Sequence, residues 1–315
     1  MKRRIRKRPS QKPGTRIQKL RTELQNSASA DFDTKTSLEM ARIINAENQR
    51  VPQAIETALP QIARAIDAVA KAFQRGGRLI YVGTGTSGRL GALDAAECPP
   101  TFSAGKMVDY VIAGGDRALG HAVEADEDSA ELGRDDLKKK RPTRKDVVIG
   151  LAASGRTPYT VAALEFARRK GCTTVAVTAN AGSPLEKVAT IPIVVVVGPE
   201  VIAGSTRMKA ATMQKLVCNT ITTGAFARIG HVYGNLMVDV QLNNSKLLER
   251  GIAILQTITG CDRQSASDAL EVAHRSVPEA LVMLEAGISP RQAQRKLKSA
   301  AGNVRRAIEA AHGKA

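Results

Sequence analysis

Five apolar stretches of strand length alternate along the chain with segments in which apolar residues recur at helical spacing. The apolar stretches cover residues 79–82, 108–113, 147–151, 173–178 and 191–197. Helical patterns separate most of them, and a longer helical pattern, with apolar positions from Ile55 to Phe73, precedes the first. Strands that alternate with helices form right-handed βαβ units and a parallel sheet covered on both faces. We therefore predict an α/β, flavodoxin-like three-layer sandwich with a parallel five-stranded sheet.

The pattern changes after residue 250, where only short helical segments remain. Residues 263–273, 277–285 and 290–300 have helical spacing, and Gly260 and Gly287 separate them. Before this point, Ser205 or Thr206 is expected to cap a long helix over residues 205–227. We predict an extension over residues 1–35, an α/β domain with N-terminal helices over residues 36–250, and a small helical domain over residues 251–315.

Two loops rich in glycine and hydroxyl groups follow the first and third predicted strands. Their sequences are Gly83-Thr84-Gly85-Thr86-Ser87-Gly88 and Ala152-Ala153-Ser154-Gly155-Arg156-Thr157-Pro158. Hydroxyls and free N–H groups at a helix start can hold a phosphate, so Thr86, Ser87, Ser154 and Thr157 are candidate phosphate-binding residues. Each hydroxyl could instead cap a helix or brace a turn. Lys209 is either a counter-charge to the ligand or a surface lysine.

The first loop also matches the glycine spacing of dinucleotide-binding proteins. That fingerprint normally follows the first strand of its domain, with an acidic residue further on. Here a long helical region comes first, and hydroxyl side chains fill the loop. These features favour a phosphorylated sugar over a dinucleotide.

Two acidic segments are candidates for acid–base chemistry. Glu97 lies one helical pattern after the first loop, just before Pro99-Pro100, which we expect to end the helix. The second segment, residues 124–128, follows the second strand and contains four acids in five residues. Two carboxylates in different environments can divide an acid role from a base role. Each could also be an ordinary solvated acid.

The positive charge is concentrated at the N-terminus. The formal net charge is +17, and residues 1–21 contain ten of the 47 lysines and arginines and no acid. This composition predicts a basic, disordered extension that activity does not need; an anionic partner such as nucleic acid is the alternative. Only 3% of the residues are aromatic, so stacking platforms for bases are scarce and nucleic-acid binding is not favoured.

Cysteine usage and hydropathy place further limits on function. The four cysteines are widely spaced, with no CxxC pair and no Cys/His cluster, so no metal site is expected. No apolar run reaches the length of about 18 residues that a membrane helix requires. We expect a cytoplasmic protein without a membrane segment, a metal or a cofactor.

Four dense motifs, taken in order, resemble the N-acetylmuramic acid 6-phosphate etherase family of sugar isomerase (SIS) domain proteins. Two are the loop residues 83–90 and 152–159; the others are Asp94-Ala95-Ala96-Glu97-Cys98-Pro99-Pro100-Thr101 and Gly198-Pro199-Glu200-Val201-Ile202-Ala203-Gly204-Ser205-Thr206-Arg207-Met208-Lys209. The resemblance runs from about residue 36 to the C-terminus. The family's acidic cluster aligns its second functional glutamate with Glu127, although Glu124, Asp126 and Asp128 stand close by.

The resemblance implies a SIS-type fold and cleavage of a lactyl ether. N-acetylmuramic acid 6-phosphate and water would give N-acetylglucosamine 6-phosphate and D-lactate, by C2 deprotonation, elimination of lactate and addition of water at C3. It implies that Glu97 is the acid/base at the lactate oxygen and that Glu127 is the second catalytic carboxylate. A homodimer is also implied, because SIS domains commonly dimerise. A sugar-phosphate isomerase and a sugar-phosphate-sensing regulator are the alternative interpretations.

Overall fold

The structure, a computed structural model, describes residues 20–242 and 244–313. The five strands of the main sheet are β1 (Leu79–Gly83), β2 (Val108–Ile112), β3 (Val147–Leu151), β4 (Thr173–Thr178) and β5 (Ile191–Val194). The first nine helices are α1 (Ser37–Asn48), α2 (Arg50–Glu56), α3 (Leu59–Gln74), α4 (Gly85–Phe102), α5 (Arg117–Gly120), α6 (Ala130–Lys139), α7 (Pro158–Arg169), α8 (Pro184–Val188) and α9 (Lys209–Ile229). A two-stranded ribbon and five helices follow: β6 (Val232–Tyr233), β7 (Leu236–Met237), α10 (Ser245–Thr259), α11 (Arg263–Val272), α12 (Val277–Ala286), α13 (Pro290–Ser299) and α14 (Val304–Ala311).

The main sheet is parallel throughout and has the strand order β2-β1-β3-β4-β5. Strand β1 lies between β2 and β3, with Leu79 paired to both Val108 and Val147. The order reverses beside β1, because the chain moves outward to β2 and then returns to the other side. Ligands of such sheets bind beyond the carboxyl ends of the strands near this reversal. The predicted α/β sandwich with five parallel strands is confirmed.

Helices cover both faces of the sheet, and alternating strand residues face each layer. In β1, Leu79 and Tyr81 belong to the apolar core beneath α3, α4 and α9, whereas Ile80 and Val82 belong to the core beneath α6, α7 and α8. Since side chains alternate across a strand, a strand buried on both sides needs a continuous apolar run. That need explains why the five strands are visible in the sequence.

Two helix ends differ from the sequence-based expectation. Helix α4 continues through Pro99 and Pro100 and ends at Phe102, where Ser103 adopts a left-handed conformation with φ 50°. Each proline removes its own N–H donor from the helical ladder, and the helix ends within one turn of the pair. Helix α9 begins at Lys209, and neither Ser205 nor Thr206 caps it.

A buried glutamate takes the place of the expected cap on α9. The Glu200 carboxylate accepts the backbone N–H groups of Lys209 and Ala210, at 3.0 and 2.9 Å, and Glu200 is fully buried. A carboxylate here satisfies free N–H groups and complements the positive end of the helix dipole. The N-terminus of α9 and the loop before it are thereby fixed to each other.

The predicted disordered extension over residues 1–35 is only partly within the described residues. Residues 1–19 lie outside them. Residues 20–35 contain three short 3₁₀ helices, Arg21–Glu23, Ser27–Ser29 and Phe32–Thr34. The Asn26 side chain donates to Glu47 at 2.7 Å and to the Pro199 carbonyl at 3.2 Å. These long-range hydrogen bonds make residues 20–35 an ordered part of the fold, which corrects the expectation for this stretch.

The C-terminal helices enclose a separate apolar core. It runs from Val238 to Ile308 and includes Leu255, Leu270 and Leu281, all buried. The Ser103 hydroxyl, just after α4, donates to the Asp239 carbonyl at 2.9 Å and connects this part to the sheet layer. The domain boundary at residues 250 and 251 stays a prediction; the apolar core itself begins several residues earlier.

Candidate active site

A cavity of about 350 Å³ opens beyond the carboxyl ends of the strands. Its volume falls in the range of small-molecule sites. The residues that line it are Glu23, Thr84, Gly85, Thr86, Ser87, Arg89, Ala122, Val123, Glu124, Glu127, Ala152, Ala153, Ser154, Thr157, Gly204 and Thr206. Five of the six residues selected from the sequence are among them; only Glu97 lies elsewhere.

The loop after β1 provides the first group of hydrogen-bond donors in the cavity. Gly88 is required here, because a Cβ at this position would lie 2.6 Å from Cγ1 of Ile112 and 2.8 Å from the Gly83 carbonyl oxygen. This close packing sets the start of α4 against the end of β1, so the free N–H groups of its first turn lie beside Thr86 and Ser87. The Ser87 hydroxyl donates to Oε1 of Gln214 at 2.8 Å.

The loop after β3 supplies the second group. Gly155 has φ +67°, and a Cβ there would lie 2.3 Å from the Ser183 hydroxyl oxygen, so only glycine fits. The Arg156 N–H donates to the Ser154 hydroxyl oxygen at 3.2 Å, which leaves the hydroxyl proton of Ser154 available. Thr157 precedes α7, and its side chain makes no capping hydrogen bond. Two helix N-termini, those of α4 and α7, thus meet at one cavity.

Glu127 lies in the cavity beside the start of α4. Its Oε1 lies 3.1 Å from the position that a Cβ on Gly85 would occupy, at the start of α4. Partial burial raises the pKa of Glu127, and the charges of Glu124 and Asp128 raise it further, although a hydrogen bond with Thr84 and the charge of Arg89 oppose them. A carboxylate whose pKa moves towards neutrality is a better general base, because its conjugate acid is weaker.

We predict that the Glu124→Gln substitution moves the acid limb of the pH profile of kcat/KM to lower pH. The negative charge of Glu124 helps to raise the pKa of Glu127, so its removal lowers that pKa and Glu127 stays ionised in more acidic solution. Rates measured across the acidic range for both proteins check this shift. An unchanged limb would mean that Glu127 is not the group whose ionisation limits the reaction.

Glu97 does not line this cavity. It is exposed on a groove between α4 and α9, together with Leu93, Lys215 and Asn219. Helices rise about 1.5 Å per residue, so Ser87 and Glu97 stand roughly 15 Å apart along α4. The expectation that Glu97 meets the acidic cluster across one site is therefore not met within a single chain, because α4 extends as one continuous helix between the two.

Two charged residues of the cavity, Glu23 and Arg89, were not predicted from the sequence. Arg89 stands one turn into α4, and its guanidinium donates to the backbone carbonyls of Ala118 and His121, at 2.8 and 2.7 Å. It thereby holds the segment after β2 from which Glu127 projects. Its position inside the first loop motif was the available signal. Glu23 had none, because it comes from a distant segment.

Lys209 is neither a surface lysine nor a counter-charge in the cavity. It is 1% exposed and pairs with the buried carboxylate of Glu47. Hydrogen bonding to Lys209 and Asn26 lowers the pKa of Glu47, against the opposing effect of burial. The pair fastens α1 to the start of α9, beside the loop that carries Gly204 and Thr206. Its role is therefore structural.

Residues 20–242 and 244–313 contain neither a metal-binding cluster nor a membrane-crossing helix. No group of three or more His, Cys, Asp or Glu side chains there could hold a metal ion. Within the same residues, no helix combines the length and apolarity needed to cross a membrane. The four cysteines are free thiols. Burial raises the pKa of Cys98 to about 12 and that of Cys172 to about 11, so neither is a ready nucleophile.

Comparison with protein families places the chain in a defined class. The model of the glucokinase regulatory protein N-terminal SIS domain matches residues 61–168, and the SIS domain model matches residues 136–222. A third model, the C-terminal lid domain of glucokinase regulatory protein, matches residues 234–274. Together with the five-stranded parallel sheet, these matches define a SIS-domain protein.

Relatives of known name identify the family. The N-acetylmuramic acid 6-phosphate etherase of Aeromonas hydrophila subsp. hydrophila is 50% identical over 282 residues, which cover 89% of this chain and 95% of that protein. The etherase of Edwardsiella ictaluri is 50% identical over 91% of this chain and 96% of its own length, and that of Vibrio vulnificus is 49% identical over 93% and 98%. The chain belongs to the N-acetylmuramic acid 6-phosphate etherase family.

Proposed function

We propose that this protein cleaves the lactyl ether of N-acetylmuramic acid 6-phosphate with water, giving N-acetylglucosamine 6-phosphate and D-lactate. The observation that carries the proposal is the meeting of Glu127 with Thr86, Ser87, Ser154 and Thr157 in one cavity. Such a site can hold a phosphate and keep a carboxylate base beside the sugar. Membership of the etherase family supports the same reaction.

In the proposed mechanism Glu127 begins the reaction at C2 of the open-chain sugar. That proton is acidic because it is α to the aldehyde, and Glu127 removes it to leave an enolate. The enolate expels lactate from C3, and an acid must protonate the departing oxygen. Water then adds at C3 of the unsaturated aldehyde, and return of a proton to C2 completes the product. Atoms balance with one water consumed and no redox step.

Release of D-lactate is the direct test. Purified protein is incubated with N-acetylmuramic acid 6-phosphate, and D-lactate is measured with a coupled dehydrogenase. A sugar-phosphate isomerase would shift the carbonyl and leave the ether intact, and a sensing protein would bind without turnover. Absence of lactate with intact binding would reject the etherase function and leave one of those two alternatives.

The acid is proposed to be Glu97 of a second protomer in a homodimer. Glu97 stands roughly 15 Å along α4 from Ser87, which is too far to serve the same small ligand in one chain. Leu93, half-exposed beside it at 50%, gives the α4–α9 groove an apolar residue that a partner would cover. A two-fold interface on this face would bring the Glu97 of each protomer towards the cavity of the other.

We propose that the Ser87 hydroxyl changes its hydrogen-bond acceptor from Gln214 to the phosphate when the substrate binds. The Ser87 proton is donated to Gln214, while Nε2 of Gln214 is buried with no hydrogen-bond partner among the described residues. A half-turn of the Gln214 amide would let Nε2 donate to the Ser87 oxygen. Ser87 could then donate its proton to the phosphate. Within the amide, Nε2 would gain a partner and Oε1 would lose one, so the charge-assisted hydrogen bond from Ser87 to the phosphate is what favours the change.

We predict that Ser154→Ala and Thr157→Val each raise KM for the phosphorylated sugar by about tenfold or more. A hydrogen bond to a charged group contributes about 1.5–3 kcal/mol, which corresponds to that change. Thr220→Val, on the exposed side of α9, is the matched control and should leave KM unchanged. N-acetylmuramic acid, which lacks the phosphate, should be an equally poor substrate for the wild type and both variants. If a substitution raised KM by the same factor for both sugars, the phosphate assignment would be rejected.

The cytoplasm is the proposed compartment. All four cysteines are free and three of them have buried, unreactive thiols, as expected of a protein that works under reducing conditions. A phosphorylated sugar substrate is also an intracellular type of metabolite. No nucleic-acid or membrane partner is proposed.

A further inference from the structure

The N-terminal strap, residues 20–24, contacts Asn180, just after β4, and Gly204, in the loop before α9, and its Glu23 lines the cavity. Thr22, 1% exposed, accepts the N–H of Gly204 on its carbonyl at 3.0 Å. The N–H of Arg21 donates to Oδ1 of Asn180, which follows β4, at 3.1 Å. These hydrogen bonds hold the backbone at the two residues immediately before Glu23.

Glu23 lies in the space that the missing side chain of Gly204 leaves open. Its Oε2 is 3.0 Å from the position that a Cβ on Gly204 would take, and Gly204 has φ +79°, a conformation that favours glycine. A side chain at residue 204 would therefore displace the carboxylate from the cavity wall. The glycine of this loop and the strap together place Glu23.

The sheet order sets Glu23 opposite Glu127. Glu127 follows β2, and the two phosphate-binding loops follow β1 and β3, in the middle of the order β2-β1-β3-β4-β5. The strap is bonded to Asn180, just after β4, so in this order the two loops come between the strap and the segment that carries Glu127. A sugar held by its phosphate on these loops would have Glu127 on one side and Glu23 on the other.

A carboxylate at this place suits the neutral part of the ligand. An ionised carboxylate only accepts hydrogen bonds, so it repels a phosphate or a lactyl carboxylate and attracts O–H and N–H donors. Among residues 20–242 and 244–313, no side chain donates a hydrogen bond to Glu23 or forms an ion pair with it, so within that part its oxygens are available to a ligand. The guanidinium of Arg89 is already engaged by two backbone carbonyls.

We infer that Glu23 is a positioning residue that accepts hydrogen bonds from the hydroxyl or amide N–H groups of an amino sugar phosphate. It holds the sugar so that C2 faces Glu127. This inference rests on the proposed function for the identity of the sugar, but the recognition it describes can be measured by binding alone. Glu23 would thus select for the sugar, and the hydroxyl loops for the phosphate.

Binding of two probes separates this role from a structural one. The first probe is N-acetylglucosamine 6-phosphate and the second is inorganic phosphate, both measured by titration calorimetry or by competitive inhibition. Glu23→Ala should weaken binding of the sugar phosphate by about tenfold to hundredfold and leave that of inorganic phosphate unchanged. Glu23→Gln, which keeps an accepting oxygen, should recover much of the loss. Gln25→Ala, at an exposed position just after the strap, is the control.

Two results would overturn the inference. Equal sugar-phosphate binding in Glu23→Ala and wild type would show that the carboxylate does not touch the sugar. A parallel loss of both probes would show that the substitution disturbs the cavity as a whole. If wild type binds the sugar phosphate but releases no lactate, the proposed function fails, and the same binding comparison still decides the role of Glu23.

Discussion

Glu127→Gln is expected to abolish both D-lactate release and exchange of the C2 proton with solvent. An amide cannot take up a proton at catalytic pH, so the enolate does not form. Elimination cannot follow, because it proceeds from the enolate. Loss of one general base costs about 10²–10⁴-fold in rate, and the larger value is expected here because both steps depend on the enolate. The measurement is deuterium incorporation at C2 in D₂O, followed by NMR alongside lactate release.

Asp128→Asn is the matched control for this experiment. Asp128 neighbours Glu127 in the chain, is exposed, and does not line the cavity. It should retain both activities, with only the small change that follows from removing one nearby charge. Normal exchange in Glu127→Gln would place the base elsewhere, and Glu124, the other carboxylate of the acidic cluster in the cavity, would be the next residue to substitute.

The strands were predictable because burial on both faces forces a continuous apolar run. The bounds of β3 and β4 agree with the prediction to the residue. The fifth strand was predicted to extend through residue 197, but β5 ends at Val194. Its neighbour β4 ends at Thr178, which pairs with Val194, so the residues after Val194 have no strand to pair with. The apolar pattern indicates which residues are buried, and Val195 and Val197 are indeed buried. The length of a strand also depends on the length of its neighbour, which the pattern does not reveal.

Helix ends were less predictable, because partners distant in sequence set them. The start of α9 is fixed by the carboxylate of Glu200, a residue that precedes the helix by more than two turns and that no local capping rule selects. Local rules suffice where the signal is local: α7 begins at Pro158, whose fixed φ suits the first helical position, and runs to Arg169.

The residues of the cavity also differ in how far the sequence could predict them. Both hydroxyl loops follow strands of one parallel sheet, so their meeting could be expected from topology alone. The strap that brings Glu23 to the cavity could not, because it is held by hydrogen bonds to residues more than 150 positions away. Glu97 was selected through a motif, and a motif gives a residue's identity but not the face of the helix on which it stands.

Glu97→Gln is expected to stop lactate release and to leave C2 exchange largely intact. Glu127 still removes and returns the C2 proton, but nothing protonates the departing lactate oxygen. The rate of elimination therefore falls by about 10²–10⁴-fold. This pattern differs from that of Glu127→Gln, which loses both activities. Exchange and release measured on one sample distinguish the two. Loss of exchange as well would mean that Glu97 contributes to deprotonation or to folding of the site.

Mixed dimers would then show which protomer supplies Glu97. Glu97→Gln and Glu127→Gln chains are co-expressed with different affinity tags, and dimers that carry both tags are purified. If Glu97 acts in the partner's cavity, one of the two sites in each mixed dimer has both carboxylates, and about half of wild-type activity returns. If Glu97 acted within its own chain, every site would lack one carboxylate and the mixed dimers would be as inactive as their parents. The separation of Glu97 from the cavity along α4 leads us to expect recovery.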